Sequence, residues 1–234
     1  ILDVAGQKGT GKWSAIAAMD ENDPLTLITE AVYARLLSAL YPERIKAASL
    51  YSGKLKVESG KLSDNAQLSI EDVRQALYAA KLISYAQGFS LLRHASEHYG
   101  WDLDYGTIAR IWRKGCIIRS VFLQKITEAY RKDPDLENLL FDDFFHTKIQ
   151  EALPAWRRVV AEGALSGVAL PAMSSALNYF DGLRTLYSAA NMIQAQRDYF
   201  GAHTYERTDR ERGHFFHTNW TGEGGNTVSG TYSV

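Results

Sequence analysis

Apolar residues recur at three- and four-residue spacing through most of the chain, the period of helices that bury one face. Asp23-Pro24 reads as a helix start, with Asp as the cap and Pro at a first helical position whose N–H would have no partner anyway. That helix is expected to run to about Leu40, with an apolar stripe of Leu25, Ile28, Val32, Leu36 and Ala39. At about 100° per residue, Arg35 falls on the edge of the stripe rather than on the wet face. Ser69-Ile70-Glu71-Asp72 has the form of a capping box with Asp in place of Glu or Gln, and the pattern stays helical to Tyr99, where Gly100 ends it. Further helices are predicted over Asp104 to Arg113, Ile117 to Arg131, Phe144 to Ala164, Pro171 to Leu186 and Ala189 to Phe200, with Pro154 expected to kink or split the third of these. Short connections between such segments suit antiparallel neighbours in a bundle.

After Gly201 the character changes. Glu206 to Gly213 is charged and turn-prone, and Phe215, Phe216 and Trp220 carry large apolar groups without helical period. Gly222 to Val234 is rich in Gly, Ser and Thr, a composition typical of disordered tails, although the preceding aromatics call for a docking surface. The expected organisation is therefore all-α: a large helical bundle over residues 1–205 and an extended tail over 206–234.

Composition narrows the function classes. The 234 residues carry a net charge of −1, and 46% are hydrophobic. That balance supports a core and argues against a general nucleic-acid binder. No apolar run approaches the ~20 residues of a membrane span. Cys116 is the only cysteine, so no intrachain disulfide can form, which points to a reducing, cytoplasmic setting. The chain opens Ile1-Leu2-Asp3-Val4 without an initiator Met or signal peptide, as a chain beginning in mid-protein would. No cluster of His, Cys, Asp and Glu has metal-ligand spacing; His94 and His98 face each other at i, i+4, but no third ligand follows.

Gly6 to Lys12 reads G-Q-K-G-T-G-K and satisfies the spacing of a phosphate-binding P-loop. Trp13 stands where the magnesium-binding Ser or Thr belongs, and the chain offers almost no strands for the surrounding parallel sheet. A P-loop nucleotide hydrolase is thus a minor alternative. What remains is chemistry suited to an anion: glycines that let backbone N–H groups approach, with Lys8, Thr10 and Lys12 beside them. On residue types alone, a solvated Gly-Lys turn is the favoured account of the stretch.

Several stretches taken together change this reading. Lys8-Gly9-Thr10-Gly11-Lys12-Trp13 resembles a signature of the 6-phosphogluconate dehydrogenases. Ile83-Ser84-Tyr85-Ala86-Gln87-Gly88-Phe89 resembles the centre of that family's long helix. Gln194 to Glu206 resembles its C-terminal signature. His217 to Gly222 and Trp112 to Ser120 are similar to further family stretches, with Lys114 where the family usually has Gly. The resemblance runs through the chain in the family's order.

The resemblance implies an oxidative decarboxylation of 6-phosphogluconate to ribulose 5-phosphate, with NADP bound mainly by an N-terminal Rossmann domain. The lysine base and glutamate acid of that chemistry would precede these residues, so no catalytic residue is expected here. The resemblance assigns Lys8 and Thr10 to the substrate and Arg35 to its phosphate. It assigns Arg197 and His203 to the substrate held by the partner of a homodimer, and Ser229, Gly230, Thr231 and Tyr232 to the partner's cofactor, with Gly230 replacing a Ser. Read without the resemblance, Arg35 could lay its stem along apolar surface, Arg197 could be a helix C-terminal cation, and His203 a structural histidine. A free-standing helical dimerisation or binding module is the remaining alternative.

Overall fold

The computed structural model describes residues 1–51, 68–113, 118, 120–220 and 222. The chain divides into two compact units, Ile1–Phe180 and Asp181–Val234. Cys116, the final stretch 223–234 and the expected cofactor contacts Ser229 to Tyr232 lie outside the described residues.

The first unit contains helices α1 (Thr10–Asp20), α2 (Thr26–Ala39), α3 (Tyr41–Tyr51), α4 (Ile70–Tyr99), α5 (Tyr105–Trp112), α6 (Leu123–Lys132) and α7 (Asp143–Leu165), a 3-10 turn at Leu139–Phe141, and most of α8 (Pro171–Leu183). The spine is α4. Ser69 Oγ accepts from the Asp72 N–H at 3.0 Å and Asp72 Oδ2 accepts from the Ser69 N–H at 2.9 Å, a reciprocal cap that satisfies two end donors. Gly100, at φ 65°, closes the other end. Ala76, Ala79, Ala80 and Ala86 form a small-residue face on α4, with the larger Ile83 buried among them. They share one core with Phe89, Phe145, Ile149, Ala152 and Trp156, and Trp156 Nε1 donates to the Met173 carbonyl at 3.2 Å. Small side chains on the spine let the α7 backbone approach while Trp156 and Phe145 fill the volume.

Five expectations need correction. The Gly-Lys stretch runs directly into α1, whose Ala15, Ala17 and Ala18 favour helix. The residues that follow Leu40 continue as α3. Asp23 does not cap a helix: Leu25 precedes α2, and the buried Asp23 carboxylate accepts from Ser90 Oγ at 2.7 Å and pairs with His94 Nδ1 at 2.8 Å. Tertiary donors outcompete the local N–H groups. The predicted stripe of α2 is buried only in its first half, since Leu25 and Val32 are shielded while Leu36 is 46% exposed. Pro154 does not split α7, which runs unbroken from Asp143 to Leu165. Proline removes one N–H from the ladder, and the buried neighbours Ala152, Ala155 and Trp156 hold the helix across the gap.

The second unit holds α9 (Ala190–Gly201) and a two-residue antiparallel pair, β1 (Tyr205–Glu206) with β2 (Phe215–Phe216), in the register Tyr205 to Phe216 and Glu206 to Phe215. These are the only strands among the described residues, and neither belongs to a parallel sheet. The P-loop alternative therefore lacks its fold.

Candidate functional site

The anion-suited stretch is fastened to α2 at both ends. Gly11 lies so close to α2 that a Cβ placed on it would stand 2.9 Å from Val32 Cγ2. Six residues earlier, the Ala5 N–H donates to Ser38 Oγ at 2.9 Å, and Ser38 Oγ donates in turn to the Arg35 carbonyl at 2.7 Å. Arg44 reinforces this end by binding the Asp3 carboxylate and the Ser38 carbonyl. Val32, Arg35 and Ser38 follow one another at three-residue steps on α2, so Arg35 sits between the two fastening points. Lys8 and Thr10 lie on the segment that spans them.

Local chain geometry explains the turn. Gly9 adopts φ 101°, a left-handed conformation that side-chain-bearing residues avoid. The Trp13 ring lies 3.3 Å from the position a Cβ would take there. Gly9 immediately precedes α1, and no side chain caps the helix's first N–H groups. Lys8, Thr10, Lys12 and Arg35 are all exposed. Among the described residues, no carboxylate pairs with Lys8, Lys12 or Arg35. Three cations without internal counter-charge, beside open helix N–H groups, can accept a dianion.

In the second unit, Gln194 holds two of the expected site residues together. Its Oε1 accepts from Arg197 Nη1 at 2.9 Å, and its Nε2 donates to the carbonyls of His203 at 3.2 Å and Thr204 at 2.6 Å. Ala202 turns the chain with φ 49°, and the His203 ring folds back over Gly201, 2.9 Å from where a Cβ would stand. Arg197 and His203 thus share the end of α9. Asp198 has a different task. Fully buried, it pairs through Oδ1 with His217 Nδ1 at 2.9 Å, and through Oδ2 it accepts from the Thr218 N–H at 3.0 Å and Trp220 Nε1 at 2.8 Å. Burial pushes its pKa up, but the Thr218 N–H, the His217 ring and the Trp220 indole outweigh that and hold it below the ordinary carboxylate value. The aromatic stretch after Gly213 is therefore tied to α9 by one carboxylate.

Sequence reasoning missed Gln194 as an organiser and a cleft of about 590 Å³ in the first unit, lined by Leu25, Ile28, Tyr85, Leu92 and Trp112 among others. Its lining comes from separate helices and leaves no compact motif. No group of three potential metal ligands exists among the described residues. No helix among them is long and apolar enough to cross a membrane.

The family model described as 6-phosphogluconate dehydrogenase, C-terminal domain, matches residues 1–220. The chain belongs to this family. A decarboxylating 6-phosphogluconate dehydrogenase of Aggregatibacter actinomycetemcomitans is 53% identical over all 234 residues, which make up 48% of that relative. The decarboxylating enzyme of Rattus norvegicus is likewise 53% identical, with 48% of its length covered. The chain thus spans about half the length of the curated relatives it matches. A solved Plasmodium falciparum 6-phosphogluconate dehydrogenase superposes with a TM-score of 0.85 and 42% identity over 94% of this chain and 46% of that one. Its structures were described in the apo form, with NADP+, and with 6-phosphogluconate.

Proposed function

We propose that these residues form the substrate-binding and dimerisation part of an NADP-dependent decarboxylating 6-phosphogluconate dehydrogenase of the pentose phosphate pathway, acting as a cytoplasmic homodimer. The observation that carries this reading is the fastening of the Lys8–Thr10 segment across Arg35, which gathers unpaired cations on one hairpin. Arg35 offers its planar fork to the phosphate, where two parallel N–H donors match two oxygens. Lys8 and Thr10 hold the rest of the sugar acid. Arg197 and His203, presented together at the end of α9, reach the substrate of the partner subunit, and residues 206–234 dock on that subunit, with Ser229 to Tyr232 towards its cofactor.

Hydride transfer to NADP and loss of carbon dioxide use groups on residues other than these. The described residues contain no strand, glycine loop and helix unit that would cradle a dinucleotide. These residues bind and orient the substrate, so that its reacting carbons stand correctly for chemistry supplied elsewhere.

The test is Arg35→Lys in the full-length protein, which keeps the charge and loses the fork. The Michaelis constant for 6-phosphogluconate should rise, and inorganic phosphate should inhibit less well. Unchanged values for both would leave Arg35 as an arginine that merely covers apolar surface.

A further inference from the structure

The hairpin made by α1 and α2 carries the candidate phosphate-binding residues towards one end, and its other end is read by a polar ladder on α4. Gln87, Ser90, His94 and His98 follow at steps of three, four and four residues, which places them on one face of that helix. Each takes a partner from the hairpin connection or the first turn of α2, in antiparallel order. His98 Nδ1 pairs with Glu21 at 2.9 Å, and His94 Nδ1 pairs with Asp23 at 2.8 Å. Ser90 Oγ donates to Asp23 at 2.7 Å. Gln87 Oε1 accepts from the Leu27 N–H at 3.0 Å while its Nε2 donates to Thr26 Oγ1 at 2.9 Å.

The carboxylates and Gln87 are the buried part of the ladder, while the His94 and His98 side chains are 32% and 60% exposed. The Gln87 side chain is fully buried, and the Asp23 and Glu21 side chains are only 1% and 6% exposed. Asp23 Oδ1 is shut from solvent with no partner among the described residues, so this carboxylate relies on Ser90 and His94 for its hydrogen bonds. Arg93 Nη2 lies 3.1 Å from His94 Nε2. Guanidinium can only donate, so hydrogen-bond complementarity makes Nε2 an acceptor and Nδ1–H the donor to Asp23. Apolar burial cannot do this work for α1, whose one buried residue is Ala18.

Two rungs define a spacing. The Glu21 rung belongs to the end of α1, the Gln87 rung to the start of α2, and their α4 partners stand about 16 Å apart at the helical rise. That separation sets the splay of α1 against α2, and therefore where Lys8 and Thr10 stand relative to Arg35. We propose that Gln87, Ser90, His94 and His98 are positioning residues for the phosphate-binding segment, acting through the hairpin connection without touching the ligand. The proposal rests on the reading of that segment as a phosphate site.

The experiment uses the full-length protein with inorganic phosphate as the probe, measured as competitive inhibition against 6-phosphogluconate. His94→Leu and Ser90→Ala should each weaken phosphate inhibition and raise the Michaelis constant for 6-phosphogluconate in parallel, by roughly three- to tenfold. The Michaelis constant for NADP should not move. His94→Asn, whose amide can take the place of Nδ1–H, should restore most of the affinity, a rescue that a change in overall stability does not produce. Arg35→Lys is the control. Should it weaken inhibition while Ser90→Ala and a folded His94→Leu lower only the melting temperature, the ladder holds the fold and positions nothing. Should Arg35→Lys also leave inhibition intact, the phosphate reading fails and the inference falls with it. Ser90→Ala carries the test alone if His94→Leu does not fold.

Discussion

Gly11 and Val32 meet so closely that no side chain can stand between them: a Cβ on Gly11 would lie 2.9 Å from Val32 Cγ2. The contact pins the start of α1 onto α2 one turn before Arg35. Gly11→Ala should push the segment off α2 and raise the Michaelis constant for 6-phosphogluconate several-fold, roughly the effect of a sub-ångström to one-ångström misplacement. Val32→Ala removes the obstructing methyl groups, so the double variant Gly11→Ala, Val32→Ala should recover towards wild type. Steady-state kinetics on the four proteins decides it, and equal losses in the single and double variants would contradict the steric account.

Arg197 is expected to act across the dimer and Arg35 within its own subunit. Arg35→Ala and Arg197→Ala full-length variants should each be inactive. When their subunits exchange, one site of a mixed dimer collects both defects and the other none. Random exchange of equal amounts makes about half the dimers mixed, so activity should return to about one quarter of wild type. No return after exchange verified by mass spectrometry would place both residues in the same subunit's site.

Residues 1–234 purified alone should form no NADPH from 6-phosphogluconate, because the described residues hold no dinucleotide cradle. Absorbance at the NADPH band measures this directly, and turnover above a buffer blank would show that the chemistry lies within them.

Asp198 makes the second unit sensitive to acid. Its pKa is lowered in the folded state, so its contribution to stability is complete above the ordinary carboxylate range and is lost as pH falls through the lowered value. Asp198→Asn should remove about 1–2 kcal/mol, since charged acceptors are replaced by a weaker amide. The Trp220 indole N–H, a donor to Asp198, reports the same event in a proton–nitrogen spectrum. An indole signal indifferent to both acid and Asp198→Asn would show that the bond does not hold the segment.

Periodicity and caps revealed the main helices of this fold, and the reasons are local. Ser69 and Asp72 satisfy each other within one turn, and Gly100 needs only its own backbone to stop α4. Asp23 departs from the local expectation of a cap because its donors, Ser90 and His94, stand 67 and 71 residues away. The same distance hides the ladder: the sequence shows only that His94 and His98 share a face of α4, not that Asp23 and Glu21 stand opposite them. The candidate phosphate residues came from the family resemblance, because Arg35 alone looks like any arginine at the edge of a stripe. What the resemblance could not supply is the fastening of Ala5 and Gly11 to either side of it.

The ladder and the Asp198 node also imply an order of assembly. Asp198 recruits Trp220 from only 22 residues along the chain, whereas Asp23 must find His94 across 71. Chain entropy makes the longer closure costlier by about 1 kcal/mol, and long-range pairings form later than local ones. During refolding, the Trp220 indole should therefore acquire its partner before the hairpin seats on α4. The phosphate-binding end of that hairpin would then be among the last parts of the chain to become competent, and a refolding protein should regain its aromatic signature before it regains affinity for phosphate.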